Sequence, residues 1–85
     1  MIDEIKKLLG SENLILGTDR TMKELRNGNL VKIFLASNAD KKIVEDIEHF
    51  KKMAEFEVIN LKETNEELGT ICKKPFSIAV IGLKK

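Results

Sequence analysis

Apolar positions recur along this chain with a spacing that changes from block to block, and each change marks an element. Ile2, Ile5, Leu8 and Leu9 lie at helical spacing, and Gly10-Ser11 stops them. Leu14-Ile15-Leu16 is a very short strand. A second helix is predicted from about Thr18 to Asn27, with Thr18 able to cap it, Met22 and Leu25 facing inward, and Gly28 ending it. Leu30–Ala36 is a nearly continuous apolar run, as in a central strand covered on both faces. Ser37–Asp40 reads as a loop with Asp40 as the next N-cap. Ile43, Val44, Ile47, Phe50 and Ala54 then trace the buried stripe of a longer helix. Phe56, Val58, Ile59 and Leu61 suggest a third strand. Thr64-Asn-Glu-Glu67 matches a capping box ahead of a short helix that buries Leu68, Ile71 and Cys72. Lys73–Phe76 forms a loop, and Phe76–Leu83 is read as the last strand. Strict alternation of helix and strand implies a mostly parallel or mixed sheet with helices on both faces, in one domain spanning residues 1–85.

Composition narrows the class. Eighty-five residues suffice for one small core. The lone Cys72 excludes an internal disulfide, and with His49 as the only histidine a cysteine/histidine zinc site is nearly excluded. No cofactor is called for. The N-terminus is amphipathic and carries acids, unlike a signal peptide, and the longest apolar stretch, Ile78–Ile81, is strand-sized. A reducing cytoplasm without a membrane role is the expectation. Net charge of +1 says little about partners, but its distribution says more. Residues 38–67 carry nine acids against five lysines, whereas residues 68–85 carry four lysines and no acid.

No catalytic constellation has a convincing spacing. His49 lies among Glu45, Asp46, Glu48 and Lys52 as a surface histidine, and Cys72 reads as a small buried hydrophobe. Glu66-Glu67 suits helix-start electrostatics rather than acid/base work. Binding is better supported. Gly17 ends the first strand, Thr18 and Asp19 open a helix, and Arg20, Lys23 and Arg26 follow at near-helical spacing. Such a turn offers unpaired N–H groups, a positive dipole end and cations at the carboxyl end of a strand, where ligands of open α/β sheets bind. Gly17 has two readings: a plain turn glycine, or a point of close approach for a partner. Lys73-Lys74-Pro75-Phe76 is a second candidate surface, suited to phosphates and to stacking on an unpaired base. The competing reading of Phe76 places it at the start of the last strand, pointing into the core.

Three blocks resemble a known family. Gly17-x-x-x-Thr21-x-Lys23-x-Leu25-Arg26-x-Gly28 resembles the signature of the kink-turn-binding ribosomal protein superfamily, of the L-seven-Ae and L-thirty-e types. The stretch from Thr64 to Phe76 is similar to the L-thirty-e pattern, and Ile33–Asp40 resembles the family's central strand and following loop. The resemblance covers roughly residues 10–83. It implies a three-layer α/β/α sandwich with a four-stranded mixed sheet. It also implies a non-catalytic protein that binds a kink-turn or related internal-loop RNA, with ribosomal proteins as further partners. The helix start maps to Gly17, Thr18, Asp19, Arg20 and Lys23, and the loop before the last strand to Leu68-Gly69 and Cys72–Phe76. Phe76 takes the position of a stacking aromatic, and Asn38 lines the same site. Two departures stand out. The L-seven-Ae type has asparagine-glutamate where this chain has Asp19-Arg20, and the loop usually has glycine where this chain has Lys73. Since relatives with this fold include regulatory proteins, a protein–protein interaction module is the alternative function.

Overall fold

The computed structural model describes residues 2–85; Met1 and the side chain of Ile2, the first residue of the predicted helical stripe, lie outside the described residues. Eight elements follow in strict alternation: α1 (Ile2–Leu8), β1 (Leu14–Leu16), α2 (Thr18–Arg26), β2 (Leu30–Leu35), α3 (Lys41–Lys51), β3 (Glu57–Asn60), α4 (Asn65–Ile71) and β4 (Val80–Lys84). The sheet order is β1-β4-β2-β3. β4 runs antiparallel to both β1 and β2, and β2 runs parallel to β3, so the sheet is mixed.

Strand periodicity divides the core in two. Phe34, Ala36, Ile59 and Ile81 meet Ile5 of α1 and Leu68 of α4 on one face. Ile33, Leu35, Ile15 and Val80 meet Met22 and Leu25 of α2 and Ile47 of α3 on the other. Successive residues of β2 thus serve opposite layers, which explains its unbroken apolar run. Lys32 is the exception. Its Nζ donates to Glu4 Oε1 at 2.8 Å and pins α1 to the sheet. That hydrogen bond raises the Lys32 pKa above its ordinary value, and burial works against it.

The helix ends follow the local chemistry. Asp40 caps α3 by accepting from Lys42 N–H at 3.0 Å. Thr64 and Glu67 form both bonds of the capping box on α4. α2 closes with Gly28 N–H on Leu25 O and Asn29 N–H on Glu24 O, the paired bonds of a Schellman motif. Its start corrects one expectation. Gly17, not Thr18, is the N-cap, and no side chain caps it; Thr18 is already helical. A second correction concerns the last strand. β4 begins at Val80, because Ile78 N–H is drawn to Asn65 O at 2.9 Å, leaving Phe76–Ala79 as connecting chain.

Candidate RNA interface

One end of the sheet gathers the carboxyl ends of β1, β2 and β3 with the approach to β4. The Gly17 turn, the Ser37–Asp40 loop, the start of α4 and the Lys73–Ala79 segment therefore meet there. Backbone bonds lock them together. Gly17 N–H donates to Val80 O at 3.0 Å, and Ala36 N–H donates to Ala79 O at 2.9 Å. Ser37 N–H reaches Glu63 O at 2.8 Å. Asn38 adds a side-chain clasp: its Oδ1 accepts from Asn65 N–H at 2.9 Å, and its Nδ2 donates to Asn65 Oδ1 at 3.0 Å. Asn38 thus holds two loops in register, with both ends of its amide engaged. Asn65, which sequence reasoning passed over, is the hub. It accepts Asn38 from one side and Ile78 from the other. The sequence signalled it only indirectly, by its place at the start of a capping-box helix and within the Thr64–Phe76 block of the family resemblance.

Gly17 has φ 107° and ψ 153°, a conformation that only glycine adopts readily. That geometry turns the chain out of β1 and straight into α2. Since the Gly17 amide is bonded to Val80, the donors left at the helix start are those of Thr18, Asp19 and Arg20, ahead of the first helical bond from Thr21 N–H to Gly17 O.

The cations of α2 separate onto two flanks. Arg20 and Lys23 share a groove beside β1 with Lys84, Glu12 and Glu24. Asp19 and Arg26 line a second groove, between α2 and α3, that also holds Asp40, Lys42 and Asp46. Lys23 and Arg26 are neighbours one turn apart on α2 but border different grooves. Asp19, in the first turn of α2, suits the positive end of the helix dipole.

The loop before β4 is the second half. Lys73, Lys74, Pro75 and Phe76 are all exposed. Phe76 keeps 55 % of its surface in solvent, so it does not point into the core as a strand residue would. Lys73 has φ 58°, in the left-handed region that favours glycine. The loop crosses directly over Gly69 of α4. A Cβ at Gly69 would collide with the carbonyl oxygen of Phe76. Beneath it, Cys72 is buried, and burial pushes its thiol pKa up against the opposing pull of Lys74. Such a thiol stays protonated at neutral pH and is a poor nucleophile.

The family model described as ribosomal protein L7Ae/L30e/S12e/Gadd45 matches residues 1–85. Large ribosomal subunit protein eL30 of Sulfolobus acidocaldarius is 38% identical over 80 residues, covering 94% of this chain and 77% of the relative. The eL30 protein of Methanothermobacter thermautotrophicus is 35% identical over 77 residues, covering 91% and 79%. Among solved structures, the Giardia lamblia 15.5kD RNA binding protein superposes with a TM-score of 0.82 at 16% identity, covering 99% of this chain and 70% of that one. A Bacillus halodurans protein gives 0.84 at 19% identity, covering 99% and 83%. These two likenesses bear on the fold, a four-stranded mixed sheet between helices.

Proposed function

The chain belongs to the ribosomal protein L7Ae/L30e/S12e/Gadd45 family, and on that premise we propose that it is a non-catalytic RNA-binding protein of ribosomal type whose RNA is a kink-turn or related internal loop. Its partners in this reading are structured, chiefly ribosomal, RNA and neighbouring ribosomal proteins. Its place is the cytoplasm, where ribosomes of the eL30-bearing relatives work. The whole chain, residues 1–85, serves as one RNA-binding domain.

The observation that carries the reading is the joining of two binding elements at one end of the sheet. Gly17 N–H is bonded to the carbonyl of Val80, the first residue of β4, and the Lys73–Phe76 loop leads into that same strand start. Exposed Phe76 offers a flat apolar face beside two cations, which suits an unpaired base and its phosphates. Thr18 and Arg20 supply N–H donors at the start of α2, and Arg20 and Lys23 supply charge that reaches outward from it. Asn38 contributes by holding the loops in place rather than by contacting a base, since its amide is already paired.

Stacking of one base on an aromatic is worth about 1–3 kcal/mol. Phe76→Ala is therefore expected to weaken binding to a kink-turn hairpin roughly 5- to 150-fold. Met53→Ala, at an exposed apolar residue beyond α3, should leave binding unchanged. Fluorescence anisotropy against a kink-turn hairpin and a fully paired control reads both. Equal affinity of the unaltered protein for the two RNAs would overturn the kink-turn reading.

A further inference from the structure

Edge strand β1 has a groove along each of its faces, and the two differ in charge. The groove on the α2 side mixes its cations with Glu12 and Glu24. The groove on the α1 side is an open depression of about 390 Å³ with no carboxylate in its lining. Its rim carries Lys6 of α1 and Lys73 and Lys74 of the loop, and its floor is Leu9, Leu14 and Leu16. All three lysines are exposed, and none joins an ion pair among the described residues. The groove starts at Leu16, one residue before Gly17, and shares Lys73 and Lys74 with the proposed RNA interface. It is therefore a continuation of that surface, running down β1 toward Gly10.

An apolar floor under a cationic rim matches one unpaired nucleotide: a base face lies on aliphatic side chains, and its phosphates meet ammonium groups. The volume fits a single nucleotide and is far too small for a duplex. An acidic peptide would suit the lysines as well, but continuity with the Gly17 turn and the Phe76 loop favours RNA. We propose that this groove holds an unpaired nucleotide flanking the internal loop, with Lys6 as a phosphate contact outside the Gly17 and Lys73–Phe76 elements. The proposal rests on the RNA-binding reading above.

The test uses one kink-turn hairpin in three forms: blunt, with a short 5′ oligouridine tail, and with a short 3′ tail. The tail that enters the groove should tighten binding by roughly tenfold over the blunt form. Lys6→Glu should abolish that gain. Lys7→Glu changes the charge of the same helix outside the groove and should keep it, which separates a contact from general repulsion. If neither tail tightens binding, or if Lys6→Glu retains the gain, the groove assignment falls while RNA binding stands. If Lys7→Glu loses the gain equally, the groove assignment also falls. If the unaltered protein fails to bind the blunt hairpin, the RNA-binding reading falls and takes the proposal with it.

Discussion

Lys73 shows how one residue serves two demands that conflict. Its backbone sits at φ 58°, which costs a side-chain-bearing residue about 1–2 kcal/mol. Glycine would remove that cost, offset in part by about 0.4–1 kcal/mol of added unfolded-state entropy. A lysine here places a cation at the rim of both the Phe76 loop and the groove beside β1. Lys73→Gly is thus expected to leave the protein as stable or up to about 1.6 kcal/mol more stable, while weakening RNA binding. Lys73→Ala should weaken RNA binding equally without the gain in stability. Thermal unfolding and anisotropy measured on the same two variants check this. If Lys73→Gly destabilises while Lys73→Ala does not, the strain assigned to this backbone is wrong.

At the scale of elements, α4 exists to seat a loop. A glycine inside a helix costs about 1 kcal/mol relative to alanine, yet Gly69 stands mid-helix in α4 because the Phe76 carbonyl rests where a Cβ would be. The same loop donates Lys74 N–H back to Gly69 O at 2.9 Å. Gly69→Ala is therefore expected to lower stability by about 1–3 kcal/mol despite the better helix former. It should also displace Phe76 and weaken RNA binding beyond that loss. Denaturant unfolding and RNA titration of the variant give both readouts, and a more stable, fully binding Gly69→Ala would refute the seating. This loop also marks where the sequence stopped being legible. Helices and strands showed in the periodicity of Met22 and Leu25, of Ile43 to Ala54, and of the run from Leu30, and the capping box at Thr64 formed both its bonds. Those signals are local. The start of β4 was misread because Phe76–Leu83 looks like one apolar run. Its first residues are taken from the sheet by a bond to Asn65, a residue with no sequence signal tying it to Ile78. Likewise, Lys23 and Arg26 are neighbours one turn apart on α2, yet they border different grooves, Lys23 the one beside β1 and Arg26 the one beside α3, a division that spacing alone does not show.

Across the whole molecule, the two flanks of α2 sort the charges into surfaces of different character. Arg20, Lys23 and Lys84 border β1, and Lys6, Lys73 and Lys74 border it from the other face. Cations thus line both sides of one sheet edge next to the Gly17 turn. Arg26 instead shares its groove with Lys42 and with Asp19, Asp40 and Asp46, and the three carboxylates outnumber the two cations. If RNA docks along the β1 edge, only the first group releases counterions on binding. Each phosphate contact contributes about 0.7–0.9 to the slope of log affinity against log salt. Lys23→Ala should therefore weaken binding and flatten the salt slope by nearly one. Arg26→Ala should leave the slope unchanged, although the two residues lie three positions apart on one short helix. Titrations of a kink-turn hairpin at several salt concentrations measure the slope for each variant. The reverse outcome, a slope that falls for Arg26→Ala and holds for Lys23→Ala, would move the RNA to the α2–α3 groove. There it would have to approach three carboxylates, so the direction of this one difference decides which face of the fold meets the nucleic acid.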